Sequence, residues 1–299
     1  MKAIIYGANG YIGFHLTNTL LHNGHEVLAI VHESTGHLNE ISQKNLTIID
    51  DKEFLSKSNN PLNTDFCNYD ILYHLAWAGS CGKERSDALL QLKNVELAVS
   101  ILVIAEKIKC KKIIFIGTIY EKLSDEMLKQ QSFNNNAFYI LAKKHSHELT
   151  LELSKKMNIK YIWCNLCHPL GKYMLKTQFM PSAIDAFLEN KETAFDSCKI
   201  WYDIYSVNTL ANQLSILGEK EPKENYYYLG SGNPKLSCDY LTIASKLCDY
   251  KLEIGFNKLP ENPLSFEKEW FSTTSFETEF NYKNTEKFED VVREYKDTL

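Results

Sequence analysis

The stretch Ala3-Ile4-Ile5-Tyr6-Gly7-Ala8-Asn9-Gly10-Tyr11-Ile12-Gly13 constrains this chain more than any other. A short apolar run leads into three glycines at three-residue spacing, and a helical pattern of Phe14, Leu16, Leu20 and Leu21 follows at once. The pattern predicts a buried strand that turns sharply into a helix. Glycine allows positive φ at such a turn. Without Cβ atoms the backbone can approach a pyrophosphate, which then rests on the free N–H groups of the helix N-terminus. A second apolar strand, Glu26 to Val31, follows. That strand, turn and helix context separates a dinucleotide loop from an ordinary βα turn, so Gly7, Asn9, Gly10, Tyr11, Ile12 and Gly13 are expected to bind a cofactor.

Composition narrows the class. At 299 residues, 44% hydrophobic and 24% charged, the chain has enough apolar residues for one large core and a smaller lobe. A net charge of -5 with no basic run argues against nucleic-acid or membrane-surface partners. With the first strand starting at the N-terminus, no signal peptide is expected. The apolar run Val95 to Ala105 contains Glu96 and is too short to span a bilayer. Eight cysteines are scattered without a disulfide framework. Cys164 and Cys167 have CxxC spacing, but no second pair at zinc spacing accompanies them, so packing is the expected role and no metal site is expected. A reducing cytoplasm is the expected compartment.

The end of the second strand normally lies beside the adenosine ribose. Val31 stands there, followed by His32 and Glu33. A cation would accommodate the 2′-phosphate of NADP and an acid would favour NAD. The expectation leans to NADP through His32, with NAD open. Leu46 to Ile49 forms a third strand, and Asp50 or Asp51 meets the adenine amino group or caps a solvated turn. Glu53 to Phe66 reads as a polar loop. The fourth strand, from Asp70, exits through Leu75 and Ala76, which let a cofactor lie against the backbone. His74 within it is expected to be structural. The loop from Ala78 to Ser86 lies at the carboxyl edge of the sheet, where ligands bind, so Ser80 and Arg85 are either substrate contacts or solvated loop residues. A long helix runs from about Ser86 to Lys109, and Lys111 to Ile116 is the fifth strand.

Tyr139 and Lys143 fall four apart in a strong helical pattern that ends near Met157, so they share one face. A phenol titrates near 10, too high for easy exchange at neutral pH. A lysine ammonium one turn away stabilises the phenolate. The pair can then act as general acid or base on a sugar hydroxyl or ketone. Thr118, at the end of the fifth strand, offers a hydroxyl to the reacting oxygen, or simply terminates the strand with a local backbone bond.

With these residues in place the chain resembles the extended short-chain dehydrogenase/reductase family. The matching segments are Gly7 to Gly13, Tyr73-His-Leu-Ala76, Asn94, Thr118, Tyr139 with Lys143, Asn165-Leu-Cys-His-Pro169 and Trp201-Tyr-Asp203-Ile-Tyr. The likeness covers nearly the whole chain and is strongest to NAD-dependent epimerases, dehydratases and nucleotide-sugar 4-ketoreductases, including CDP-abequose synthase-like reductases of surface-polysaccharide pathways. It implies an α/β Rossmann domain with a doubly wound parallel sheet over 1–168, to which 200–232 returns, and a smaller C-terminal substrate-binding lobe over 169–299. It implies Tyr139 as acid/base, Lys143 on the ribose, Thr118 on the reacting oxygen, Asn94 as a structural member of a proton relay, and Asn165 near nicotinamide and substrate. It also implies a homodimer through the helices near 86–109 and 137–157.

Three departures shape the expected reaction. Ile119 and Tyr120 stand where dehydratases of the family carry an acidic pair, and the loop reads as shortened, which argues against water elimination. Tyr202 replaces a usual phosphate-binding arginine; the chain has only Arg85 and Arg293. Lys172, Lys176 or Arg85 would therefore hold the diphosphate, the lysines as point charges. The acid that would select NAD is displaced. The expected reaction is reduction of a 4-keto sugar on a nucleoside diphosphate. The alternatives are a 4-epimerase that retains NAD and, more remotely, a non-catalytic cofactor-binding regulatory protein. Beyond the sixth strand (Lys160 to Asn165), Pro169, Gly171, Pro181, Pro222, Pro234, Pro260 and Pro263 punctuate short elements. Helices are expected at Phe179 to Leu188, Val207 to Gly218, Ser237 to Cys248 and Glu286 to Lys296, and strands at Trp201 to Tyr205 and Tyr226 to Gly230.

Overall fold

The computed structural model describes residues 1–41, 44–60, 64–130, 135–262 and 264–299; Pro263 lies outside them. In chain order the elements are β1 (Lys2–Tyr6), α1 (Tyr11–His22), β2 (Glu26–Val31), β3 (Leu46–Asp50), α2 (Asp51–Asn59), β4 (Ile71–His74), α3 (Ala88–Lys107), β5 (Lys112–Ile116), α4 (Ser124–Gln130), α5 (Ala137–Ser154) and β6 (Lys160–Asn165). There follow β7 (His168–Leu170), α6 (Phe179–Leu188), β8 (Trp201–Tyr202), β9 (Ile204–Ser206), α7 (Val207–Glu219), β10 (Tyr226–Tyr228), β11 (Lys235–Leu236), α8 (Ser237–Leu247), α9 (Thr274–Phe280) and α10 (Phe288–Lys296). The chain divides into two compact units, residues 1–165 with 211–227, and residues 166–210 with 228–299. The expected returning segment, 200–232, is thus the shorter 211–227.

The first unit is built on a seven-stranded sheet of order β10-β6-β5-β4-β1-β2-β3. From β3 to β6 every neighbouring pair runs parallel. This is the doubly wound dinucleotide-binding order, and its switch point lies between β1 and β4. The strands are apolar on both faces because helices cover both. Ile4, Leu28, Leu72 and Phe115 pack with Ala98, Ile101, Leu102 and Ala105 of α3 in one cluster. Ile5, Ala29, Tyr73 and Ile114 alternate to the other face and are also buried. There the Tyr73 hydroxyl donates to the Leu214 carbonyl of α7 at 3.1 Å. Buried Lys112 donates to the Leu217 and Gly218 carbonyls at 3.0 and 3.1 Å, closing the C-terminus of the same helix.

Two expectations are corrected. The polar stretch after β3 is not a loop at its start: Asp51–Asn59 is a helix, capped by Asp50, whose carboxylate accepts from the Lys52 N–H at 2.9 Å. The segment after Thr118 forms a 3-10 turn, Ile119–Leu123, followed by α4. The apolar stretch judged too short belongs to α3, whose 20 residues make it, among the described residues, the one helix long and apolar enough to cross a membrane by length and composition. Its inward face carries Gln91 and Asn94 beside Ala98, Ile101, Leu102, Ile104 and Ala105, all buried within the unit.

The second unit gathers α6, α8 and α10 around a core that includes Leu170, Ile184, Phe187, Leu241, Val291 and Val292. The expected strand from Trp201 to Tyr205 divides at Asp203 into β8, which pairs antiparallel with β11, and β9, which pairs parallel with β7. Asp203 is fully buried and explains the break. Its carboxylate accepts from the Tyr228 hydroxyl and the Ser231 N–H, both at 2.9 Å, so it anchors neighbouring loops instead of a ligand.

Candidate active site

The first unit holds a cleft of about 480 Å³ at the carboxyl edge of its sheet. Gly7, Asn9, Gly10, Tyr11, Ile12, Gly13, His32, Asp51, Leu75 and Ala76 all line it, with Trp77, Ser80 and Asn94. The glycine loop is shaped by contact as much as by φ. Only Gly7 of the three has positive φ, at 92°. A Cβ on Gly7 would fall 2.7 Å from the Ala76 nitrogen, where the exits of β1 and β4 meet. A Cβ on Gly13 would fall 2.2 Å from the Gly7 carbonyl oxygen. Gly10 caps α1, whose first turn carries no acidic side chain. The first turn of α1 therefore sets no carboxylate against an anion at its N-terminus, the arrangement that receives a pyrophosphate.

At the other end of the cleft, the Asn9 side-chain amide donates to the His32 and Ser34 carbonyls at 3.1 and 2.7 Å and fixes the exit of β2. His32 Nδ1 lies 2.8 Å from Asp51 Oδ2, and its Nε2 lies 3.5 Å from Glu33. Asp51 Oδ1 is buried with no hydrogen-bond partner. A buried carboxylate oxygen without a donor is costly, and an adenine amino group entering the cleft would satisfy it. The loop, the close backbone approach and this acceptor fit a dinucleotide.

Thr118, Tyr139 and Lys143 come together in the same unit. Thr118 follows β5 and is 5% exposed; its hydroxyl accepts from the Tyr120 N–H at 3.4 Å and is near enough to the Tyr139 phenol to lower its pKa. Burial lifts the Tyr139 phenol above the ordinary tyrosine value, while the Arg85 guanidinium and the Thr118 hydroxyl pull it back. Lys143 shares the helix face with Tyr139 but turns its ammonium elsewhere. It donates to the Ile116 carbonyl at 2.7 Å and lies 3.7 Å from the centre of the Trp77 ring. Burial brings this ammonium down to about 7, with Glu121 opposing the shift. Between that pH and the ordinary lysine range the unfolded chain holds a proton that the folded chain lacks. Stability relative to a Lys143→Met variant is therefore expected to rise with pH across that window, as denaturant titrations at several pH values would read. Trp77 joins the cleft wall to the Thr118, Tyr139 and Lys143 cluster, since its ring also meets Tyr139 edge-on at 6.3 Å.

Several residues of this site, Gln91 and Glu121 among them, carry no local signal in the sequence, whereas Asn94 is named there through the resemblance. Gln91 and Asn94 reach out of apolar α3 to hold the loop after β4. The Trp77 indole N–H donates to Gln91 Oε1 at 2.9 Å, and the Gln91 amide donates to the Gly79 carbonyl at 3.0 Å. Asn94 exchanges two bonds with the Ala78 backbone, at 2.8 and 2.9 Å. Glu121, 3% exposed, accepts from the Thr118 N–H at 2.7 Å and the Trp163 indole at 3.2 Å, and His147 Nδ1 lies 3.4 Å away. His147 in turn stacks on Trp163 with 4.5 Å between ring centres. Replacing Glu121 by alanine would orphan the buried Thr118 N–H, while the Trp163 indole keeps its bond to Asn165 Oδ1. The expected loss is about 2 kcal/mol of stability, measured by chemical denaturation, together with looser positioning of Thr118.

The remaining candidates fall as follows. Asn165 ends β6, 2% exposed, with its carbonyl oxygen on the Trp163 indole at 2.9 Å. Ser80 is exposed on the loop, and its carbonyl accepts from Arg85. His74 is buried between the rings of Tyr6 and Phe115, with both ring nitrogens unbonded; burial drives its imidazole down to about 3, so it is neutral at physiological pH. Lys172 and Lys176 lie in the second unit, both exposed, Lys176 within 3.5 Å of Asp185. All eight cysteines are free thiols.

A family model, the NAD dependent epimerase/dehydratase family, matches residues 3–228. The chain belongs to this family. Members of the epimerase/dehydratase family are NAD-dependent enzymes of nucleotide sugars. No curated protein matches the chain in sequence. Among solved structures, the Bordetella bronchiseptica enzyme WbmF, in complex with NADH, is 16% identical with a TM-score of 0.80, over 99% of this chain and 91% of that one. The UDP-N-acetylglucosamine 4-epimerase of Methanobrevibacter ruminantium M1 is 18% identical with a TM-score of 0.79, over 99% and 97%. The UDP-glucuronic acid 4-epimerase of Bacillus cereus, in complex with UDP-glucuronic acid and NAD, is 21% identical with a TM-score of 0.76, over 100% and 98%. At these identities the likeness speaks for the epimerase/dehydratase fold.

Proposed function

We propose that this chain transfers hydride at C4 of a sugar carried on a nucleoside diphosphate, acting as a reductase of the 4-keto sugar. The observation that carries the reading is the meeting of the Thr118 hydroxyl, the Tyr139 phenol and Lys143 beside Trp77, the wall shared with the glycine-loop cleft. A nicotinamide dinucleotide held by the Gly7 to Gly13 loop and the Leu75–Ala76 exit would supply hydride chemistry at the ketone carbon. Tyr139 donates its phenolic proton to the alkoxide oxygen that results, so the ketone gains one hydride and one proton and becomes an alcohol. Thr118 donates a hydrogen bond to the same oxygen and orients it. Lys143, low in pKa in its buried position, holds the ribose hydroxyls and carries positive charge near the phenolate once ligands are bound. Water elimination is disfavoured: Ile119 and Tyr120 follow Thr118, and the next acid, Glu121, is turned inward onto the Thr118 N–H.

For the cofactor, the adenosine end supports NAD over NADP. His32 faces two carboxylates, Asp51 and Glu33, which would repel a 2′-phosphate. Fluorescence titration is expected to give at least tenfold tighter binding of NADH than of NADPH, with the gap closing in an Asp51→Asn variant. A second reading, 4-epimerisation with retained NAD, is favoured by two structural neighbours that are 4-epimerases of UDP-sugars. Denaturing the purified protein and weighing the released nucleotide separates the two. Stoichiometric NAD supports epimerisation, whereas empty protein that binds reduced cofactor on titration supports the reductase. A cytoplasmic homodimer completes the proposal, joined through the exposed Leu89 and Leu92 of α3 and Phe138 and Leu149 of α5.

A further inference from the structure

Arg85 is one of two arginines in the chain and sits on the 3-10 turn Gly82–Ser86. Its guanidinium is not simply offered to solvent. Nε donates to the Ser80 carbonyl at 2.7 Å, and Nη1 donates to Asn136 Oδ1 at 3.1 Å, at the entry to α5. So tethered, the planar cation lies 4.5 Å from the centre of the Tyr139 ring and 5.3 Å from that of Tyr120. A cation at this distance over an aromatic face is attracted to the ring and restrains it. The attraction grows when the ring acquires negative charge, as a phenol does when it gives up its proton.

We propose that Arg85 is a positioning residue for the acid–base step, clamping the Tyr139 ring and holding positive charge over the phenolate that forms as the proton leaves. The inference rests on Tyr139 being the acid/base group and assigns to Arg85 a role separate from binding the diphosphate. The groups around Tyr139 make that role specific. Glu121 and Tyr120, from the turn after β5, disfavour the phenolate, and Thr118 favours it. Trp77 meets the ring from the exit of β4, and Lys143, one turn along α5, is engaged by the Ile116 carbonyl. Of the groups that favour the phenolate, the Arg85 guanidinium acts most strongly.

The test compares wild type, Arg85→Gln, Arg85→Lys and Asn136→Ala, with Tyr139→Phe alongside. In Arg85→Gln, kcat at pH 7 is expected to fall roughly tenfold because the phenol is a weaker acid, and the alkaline limb of the profile, where the phenol loses the proton it must donate, is expected to move to higher pH, with KM within a factor of two. Arg85→Lys keeps the charge without the fork and is expected to restore part of kcat, while Asn136→Ala frees the tether and gives a smaller shift of the same sign. In protein labelled with ζ-13C tyrosine, the Tyr139 signal, identified by its absence in Tyr139→Phe, is expected to show less phenolate in Arg85→Gln than in wild type at the same alkaline pH. Equal phenolate fractions, or a raised KM with an unchanged pH profile, would overturn the role of Arg85 while leaving Tyr139 as acid/base. Full turnover by Tyr139→Phe would instead overturn the reading on which it rests.

Discussion

Replacement of Tyr139 by phenylalanine is expected to lower turnover on the nucleotide sugar about a thousandfold, with substrate and cofactor affinity nearly unchanged. The substitution removes one oxygen from a buried ring and leaves the packing against Trp77 and Arg85 intact. General acid catalysis by a positioned group contributes on the order of 10² to 10⁴ in rate. Thr118 cannot take over, because a hydroxyl that bonds the reacting oxygen stabilises it without delivering a proton from an acidic source. Circular dichroism and cofactor titration on the same sample separate a chemical loss from misfolding.

The second large effect is expected at Gly13. An added Cβ would fall 2.2 Å from the Gly7 carbonyl and 2.7 Å from Ala8 Cα, contacts that only a shift of the backbone can relieve. Because α1 stands on these atoms, its N-terminus must move away from the exit of β1. Gly13→Val is therefore expected to cost about 2 kcal/mol of stability by overpacking and to weaken dinucleotide binding by two orders of magnitude or more. Gly24→Ala is the useful contrast. Gly24 has positive φ but nothing within 4 Å of the added atom, so it is expected to lose stability and keep cofactor affinity.

The parts of this site legible in the sequence are those built from local chemistry. The Gly7 to Gly13 loop is legible because turn geometry and close approach demand glycine within seven residues of one strand. Tyr139 and Lys143 are legible as a pair because helical period four puts them on one face. The direction of the Lys143 ammonium is not, because a long side chain chooses among partners brought in by β5 and by the exit of β4. The same holds for Glu121, Gln91, Trp77 and Asn136. Each acts through one hydrogen bond or ring contact to a distant segment, and no spacing in the chain encodes such a partner. Helix α2 was hidden for a different reason: its polar runs, Asp51-Lys-Glu and Ser56-Lys-Ser, resemble a loop, and buried Phe54 with its neighbour Leu55 ties it to the core. The break at Asp203 was masked by the alternation of Trp201 to Tyr205, which fits one strand as well as two.

The most direct measurement of the central claim is the absorbance of the nicotinamide when purified protein, loaded with cofactor, is mixed with nucleoside diphosphate hexoses and their 4-keto forms. The account predicts loss of the reduced-nicotinamide band with a 4-keto sugar, or its appearance with the alcohol, in wild type and in neither case with Tyr139→Phe. Cofactor that binds in the glycine-loop cleft but exchanges no hydride with any of these sugars would contradict it.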